Sequence, residues 1–142
     1  MQTNDDAVRV IARLARVFET RLVEDSMTLP QFRVLAFLSE GEWAASALAD
    51  WLAVSRPSVT AIVDGLVERG WVERHDSPTD RRRVLHHLTD DGRSALAAST
   101  TALDETLDKL LEHLDDSERA RALDGLDQLG VAMRRHREAV TS

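Results

Sequence analysis

Residues 76–92 have the sequence DSPTDRRRVLHHLTDDG, and this stretch decides the fold that the sequence predicts. It begins as a polar, turn-rich segment that contains the consecutive arginines Arg81–Arg83, and it continues as an alternating run typical of a strand. Helix-start signals follow at Thr89–Asp91, because acidic residues favour the positive end of a helix. An arginine cluster at the tip of a hairpin suits contact with a phosphate backbone or a narrow groove.

Two short strands are predicted around this turn, Trp71–His75 and Val84–Leu88, with Asp76–Arg83 between them. His86 and His87 point to opposite faces of the second strand, since side chains alternate along a strand. A zinc site needs three or four converging ligands, and these two histidines cannot easily hold one ion. We therefore predict no metal site and no cofactor, and we interpret His86 as a half-buried polar residue.

Four helices are predicted ahead of the hairpin from the helical spacing of apolar residues. They span roughly residues 6–24, 30–41, 44–52 and 55–70. The first carries apolar residues on two flanks, which indicates burial on more than one side, as in a dimer interface. Ser55 is a good N-cap for the fourth, and Pro57 fits its first turn. Two short helices joined by a tight turn form a helix-turn-helix pattern.

Two long helices are predicted after the hairpin. One starts at Thr89–Asp91 and continues to about Leu114, with leucines near heptad spacing. Asp115 and Glu118 then resemble a capping box that starts the last helix, which runs to about Arg137. The prediction is a mainly α fold of the α+β winged-helix type: four helices, a two-stranded wing and two long helices, in a single domain over residues 1–142.

Composition excludes several classes of function. The chain has 142 residues, a formal charge of −7 and no cysteine, so disulfides, thiolate nucleophiles and Cys-ligated zinc are ruled out. No glycine-rich phosphate loop, His-x-x-x-His spacing or Gly-x-Ser-x-Gly elbow is present, which argues against an enzyme. No apolar run approaches the ~20 residues of a membrane span, and the N-terminus lacks the apolar core of a signal peptide, so we predict a cytoplasmic protein.

Positive charge is concentrated in one region of this acidic chain. Residues 55–88 contain six arginines and five acidic residues, a net of +1 that leaves −8 for the rest. This contrast fits a local nucleic-acid surface on an acidic body, although charge alone decides little.

The order of elements resembles the MarR family of winged-helix transcriptional regulators. The resemblance rests on three motifs that occur in order. The first is LPQFRVL at Leu29–Leu35. The second is ALADWLAVS at Ala47–Ser55, which leads into SVTAIVDGLVERG at Ser58–Gly70. The third is Asp80–Arg82 followed by LTDDG at Leu88–Gly92.

The resemblance implies a homodimer and a DNA target. Interlocking dimerisation helices would cover about residues 5–25 and 90–138, and the winged helix-turn-helix lobe about residues 29–89. The operator should be a pseudo-palindromic double-stranded sequence that matches the two-fold symmetry. Family members are usually repressors released by a small, often aromatic or anionic, ligand. The alternative is a constitutive DNA-binding or protein-interaction module without ligand control.

The fourth helix and the wing provide the candidate DNA-binding residues. On the helix they are Ser55, Arg56, Pro57, Ser58, Thr60, Ala61 and Asp64; on the wing they are Arg74, Asp80, Arg81, Arg82 and Arg83. By the family's Asp-x-Arg register, Arg82 enters the minor groove and Asp80 orients it or braces the loop. The alternatives are small solvated residues on the helix and a basic turn paired with acids on the wing.

Two further predictions concern apolar and aromatic residues. An effector pocket between the first, second and fifth helices is suggested from position alone, with Phe18, Met27, Phe32 and Arg33 as its lining. Tryptophans can stack on bases, but the positions of Trp43, Trp51 and Trp71 favour hydrophobic packing.

Overall fold

The structure is a computed structural model that describes residues 3–141, with side chains for residues 3–140. Its elements are α1 Asn4–Glu24, α2 Leu29–Leu38, β1 Trp43–Ala44, α3 Ala45–Leu52, α4 Arg56–Glu68, β2 Val72–Asp76, β3 Val84–Leu88, α5 Asp90–Leu111 and α6 Asp116–Thr141. The chain divides into two compact units, one up to Asp104 and one from Glu105 onward. Helix α5 contributes to both.

Local capping explains where the helices of the first unit begin. Thr28 and Gln31 form a reciprocal capping box at the start of α2, which satisfies backbone amides that the helix itself leaves unpaired. Ser55 accepts a hydrogen bond from the backbone N–H of Ser58 at the start of α4, as the sequence predicts. Gly70 adopts φ +75° after α4, a conformation that favours glycine and ends the helix.

The predicted two-stranded wing is present, and a third strand extends it to a three-stranded antiparallel sheet. The β2–β3 hairpin is present, with Val72 opposite Leu88 and His75 opposite Leu85. Strand β1 pairs with the other edge of β3, and Trp43 lies opposite His86. The sequence placed Ala44 in a helix, because a two-residue strand has no periodicity of its own and forms only through this long-range pairing.

The core of the first unit lies beneath the helix-turn-helix and the wing. Its fully buried side chains come from helices α1 to α4, the loop before α2 and strand β2, and include Leu22, Met27, Leu35, Leu38, Leu48, Val59, Val63, Leu66 and Val72. Each such aliphatic side chain contributes roughly 1.5–3 kcal/mol on removal from water. The apolar stripe of α4 is therefore buried in the core, and the opposite face of this helix points to solvent.

The second unit consists of the end of α5 and helix α6. The predicted capping box is present, because Asp115 accepts from the backbone N–H of Glu118 at 2.8 Å and Glu118 accepts from that of Asp115 at 3.0 Å. Arg119 pairs with Asp108 at 2.7 Å. Helix α6 continues past the predicted end near Arg137 to Thr141. Within the described part of the chain, no helix is both long and apolar enough to cross a membrane.

Candidate nucleic-acid interface

The N-terminal half of α4 presents a row of small polar side chains to solvent. All seven residues predicted for this face are exposed: Ser55, Arg56, Pro57, Ser58, Thr60, Ala61 and Asp64. The hydroxyls of Ser55 and Ser58 lie 2.9 Å apart, and Thr60 donates to the carbonyl of Arg56 at 3.1 Å. These hydroxyls keep free lone pairs, and such groups can contact phosphates or base edges.

The wing tip is held in shape by Asp80. Its carboxylate accepts a hydrogen bond from the backbone N–H of Arg82 at 3.0 Å, and its carbonyl accepts from that of Arg83 at 3.0 Å. Ser77, which is 8% exposed, accepts from the N–H of Asp80 at 3.3 Å. Asp80 therefore braces the loop through the backbone rather than through an arginine side chain. The role of Ser77 could not be predicted from the sequence, because it depends on the folded shape of the loop.

An ion pair joins α4 to the wing. The guanidinium of Arg74 on β2 donates to the carboxylate of Asp64 on α4 at 2.5 Å. Both residues are predicted from the sequence to contact DNA, with Asp64 on the recognition face. In the structure the Asp64 carboxylate lies against Arg74 and neutralises part of the positive charge of the wing.

A groove of about 390 Å³ lies between α4 and the wing. Its walls include Arg56 and Thr60 from the helix, and Arg82 and Arg83 from the wing loop. The guanidinium groups of Arg81, Arg82 and Arg83 make no hydrogen bond or ion pair within the described residues. The groove thus carries uncompensated positive charge beside an exposed helix end.

The three histidines of the sheet have different environments. His86 is 4% exposed and its Nδ1 donates to the carbonyl of Trp43 at 3.0 Å. Burial lowers the pKa of His86, so its neutral form is favoured. On the opposite face, the carbonyl of Asp76 and the carboxylate of Glu42 raise the pKa of His75. The ring centroids of His75 and His87 lie 4.9 Å apart, a proximity that was not predicted from the sequence.

Comparison with known proteins identifies this arrangement. A model of the MarR family matches residues 25–83. The HTH-type transcriptional regulator MT0903.1 of Mycobacterium tuberculosis is 32% identical over 115 residues, which cover 80% of each chain. The chain belongs to the MarR family. The transcriptional repressor MprA of Escherichia coli is 36% identical over 93 residues, covering 52% of this chain and 53% of MprA.

Solved structures of MarR from E. coli have the same fold. The wild-type apo form superposes with a TM-score of 0.83 at 25% identity, covering 91% of this chain and 96% of that one. A mutant of the same protein complexed with operator DNA gives a TM-score of 0.69 at 26% identity, with coverages of 87% and 89%. This MarR-family chain is therefore a DNA-binding transcriptional regulator with a winged helix-turn-helix, and it is not an enzyme.

A second cavity of this MarR-family chain has about 400 Å³ and lies between the end of α1, the start of the wing and α5. Its lining is Arg21, Asp25, Met27, Trp71, Ala95, Ala98 and Ser99. Of the four residues suggested for an effector pocket, only Met27 lies here. Phe18 and Phe32 pack against the core, and Arg33 lies over the Trp51 ring at 5.5 Å. Three of the four suggested residues therefore lie outside the lining of this cavity.

The tryptophans pack within the protein, as predicted. Trp51 stacks on Phe37 with centroids 4.6 Å apart, and Trp43 lies 4.9 Å from the same ring. The guanidinium carbon of Arg69 lies 3.7 Å from the centroid of the Trp71 ring. The same guanidinium donates a hydrogen bond to the carbonyl of Ser26 at 2.5 Å. Arg69 thus ties the end of α4 to the α1–α2 turn, a contact that no local sequence signal indicates.

Proposed function

We propose that this regulator binds a pseudo-palindromic operator as a homodimer and represses transcription until a small ligand releases it. The observation that carries the proposal is the groove between α4 and the wing, where Arg56 faces Arg82 and Arg83. Since the chain as a whole has a charge of −7, this local positive surface restricts DNA binding to one face.

Each part of this face has its own role in the proposed complex. The N-terminal half of α4 enters the major groove, where Ser58 and Thr60 contact phosphates or base edges and Ala61 contacts a thymine methyl. Arg82 enters the adjacent minor groove, since a planar and weakly hydrated guanidinium suits a narrow electronegative groove. Arg81 and Arg83 contact the backbone. The structural neighbour solved in complex with operator DNA, a mutant of MarR, supports duplex DNA as the partner of this face.

Exposed apolar side chains on α1 and α6 support the dimer. On α1, Val8, Val10 and Ile11 are more than half exposed; on α6, Leu123, Leu126, Leu129 and Met133 are 41–66% exposed at helical spacing. Such stripes are costly in water and mark protein contacts. The family expectation of interlocked terminal helices indicates a second copy of this chain as the partner, which would also present two recognition helices to the two half-sites.

Repression and release rest on two further observations. The relative MprA is a transcriptional repressor, and a dimer seated across a promoter excludes other proteins from the same DNA. The lining of the cavity beside Trp71 combines apolar side chains, among them Met27 and Trp71, with the polar Arg21, Asp25 and Ser99. The apolar part suits a small aromatic ligand, and an anionic group on that ligand would compete with Asp25 for Arg21, which Asp25 holds at 3.0 Å. The cavity borders β2 through Trp71, so a bound ligand can shift the wing relative to α5.

Operator binding is tested by fluorescence anisotropy on a DNA fragment identified by genome-wide footprinting. Log affinity should fall linearly with log salt, with a loss on the order of 10³-fold between roughly 50 and 200 mM, because phosphate contacts release counterions. A scrambled duplex of equal length is the matched control and should bind far more weakly. A flat salt response would favour the alternative of a protein-interaction module.

Ligand control is tested separately by screening aromatic carboxylates in thermal-shift assays and then in the anisotropy assay. A ligand of the proposed cavity should raise the melting temperature and release DNA. Ala98→Phe, which fills the cavity, should abolish both effects and leave operator affinity intact. Retention of release in Ala98→Phe would place the effector elsewhere, and a library without any releasing ligand would favour constitutive binding.

A further inference from the structure

Three potential metal ligands converge on the sheet face opposite the groove. Glu42, His75 and His87 each offer one ligand atom, and these atoms lie within 4.8 Å of one another. The strand register explains the cluster. Trp43 lies opposite His86 in the β1–β3 pair, so Glu42 precedes β1 beside His87. His75 is two residues along β2 from Glu73, the residue directly opposite His87, which makes the two imidazoles diagonal neighbours on one face.

The hydrogen bonds of His87 leave one ring nitrogen available. Its Nε2 lies 3.0 Å from a carboxylate oxygen of Glu73, to which it donates. In the neutral imidazole the other nitrogen, Nδ1, then carries a lone pair. Nδ1 is buried and has no hydrogen-bond partner among the residues that the structure describes. A buried polar atom without a partner is uncommon and costs free energy.

His75 differs from His87 in that both of its ring nitrogens face an oxygen, and a bound ion would replace the proton between His75 and Glu42. Its Nδ1 lies 3.1 Å from the carbonyl oxygen of Asp76, to which it donates. Its Nε2 faces a carboxylate oxygen of Glu42 at 3.2 Å. Each imidazole therefore gives one nitrogen to an oxygen acceptor outside the cluster. Metal-binding histidines are oriented in this way, because the outer acceptor fixes the ring and raises the basicity of the ligating nitrogen.

We propose that Glu42, His75 and His87 form a binding site for a divalent transition-metal ion of the zinc type. Two imidazoles and one carboxylate suit Zn²⁺, Co²⁺ or Ni²⁺, whereas Ca²⁺ and Mg²⁺ require mainly oxygen ligands. Three protein ligands leave a fourth position for water. Ligand atoms around tetrahedral zinc are about 3.4 Å apart for bonds of about 2.1 Å, so ligand atoms that lie within 4.8 Å of one another need to approach by about 1.4 Å at most.

The site links segments that are distant in the sequence. Glu42 follows α2, whereas His75 and His87 belong to the two strands of the wing. A bound ion would therefore fasten the wing to the segment after α2 and stabilise the fold by mass action. Arg74 and His86 form a directly opposed pair on the other face of the sheet, so the ion does not obstruct the groove beside α4.

The test is a titration of metal-free, tag-free protein with Zn²⁺ in competition with a chromophoric chelator. The expected result is about one ion per chain, removed by EDTA, with a melting temperature that rises with metal. Bound Co²⁺ should show the visible absorption of a four-coordinate ion, with three protein ligands and one water. Mg²⁺ at the same concentration should change neither readout.

Two variants and one control decide the assignment. His75→Gln and His87→Gln should each weaken Zn²⁺ binding by at least about tenfold and remove the Co²⁺ spectrum, because each deletes a ligand. His136→Gln, on the exposed α6, should leave both unchanged. Circular dichroism without metal checks that each variant folds. If only one of the two ligand variants folds, that variant alone is enough to test the assignment. Equal affinity in a folded ligand variant and in His136→Gln, or no stoichiometric binding to the parent protein, would overturn the proposal.

Discussion

The α carbon of Gly92 lies so close to the backbone of Trp71 that any side chain there would collide with it. A Cβ atom on Gly92 would be 2.0 Å from the carbonyl oxygen of Trp71 and 2.9 Å from its carbonyl carbon. That same oxygen accepts a hydrogen bond from the N–H of Thr89 at 3.1 Å. The first turn of α5 is therefore fixed against the start of the wing by contact between backbones.

Gly92→Ala should destabilise the protein by about 1–3 kcal/mol, because the backbone must shift to remove the overlap. Gly125→Ala is the matched control. A Cβ at Gly125, within α6, meets no atom within 4 Å, and alanine is the better helix former. Chemical denaturation of both variants measures the difference. Equal stability for the two would show that the Gly92 contact imposes no constraint.

Arg82→Ala should reduce operator affinity by more than about tenfold, since each lost charge-assisted contact costs about 1.5–3 kcal/mol. Its side chain contributes to the groove beside α4 rather than to the core, so melting temperature and oligomeric state should not change. Gel-shift titration gives the affinity and sedimentation gives the state. Arg121→Ala, an exposed position on α6, is the control for the loss of one positive charge.

Asp80→Ala should also weaken operator binding, but through the shape of the wing tip. The variant loses the acceptor for the N–H of Arg82, which the carboxylate holds at 3.0 Å. Asp80→Asn keeps a carbonyl oxygen at the same place and should retain most of the affinity. Amide hydrogen exchange at Arg82 should accelerate in Asp80→Ala only. If Asp80→Asn binds as poorly as Asp80→Ala, the charge matters more than the brace.

Leu126→Glu should convert the proposed dimer to a monomer, because it places a charge in the apolar stripe of α6, where Leu126 is 42% exposed in the single chain. Burying an unpaired carboxylate costs several kcal/mol. Sedimentation equilibrium measures the outcome, and operator affinity should fall with the dimer. Gln128→Glu introduces the same charge at another exposed position of the helix. A dimer that survives Leu126→Glu would contradict the role proposed for α6.

The helices and the hairpin could be predicted because their signals are local. Ser55 caps α4, and Asp115 with Glu118 caps α6; both are visible within four residues of sequence. Strand β1 was missed because two residues have no periodicity, and its partner β3 lies more than 40 residues away. The proximity of His75 to His87 depends on hairpin register, which a polar turn of this length does not fix.

The interface also contains features that follow from local sequence signals and features that depend on long-range contacts. The exposure of Ser58, Thr60 and Ala61 follows from helical periodicity once the apolar face is known. The ion pair between Asp64 and Arg74 does not, because it depends on how the wing lies against α4. The cavity beside Trp71 was missed for a similar reason, since the start of a strand contributes to its lining.

The carboxylate of Asp64 also acts as an internal competitor for the anions that approach Arg74. Asp64 already occupies that guanidinium, so a flexible polyanion such as heparin must displace it and gains little net attraction. A duplex that seats α4 in its groove can compensate for the lost pair through its many other contacts. Replacing Asp64 with asparagine would therefore increase adhesion to any polyanion more than it increases affinity for the operator, at the expense of discrimination between them.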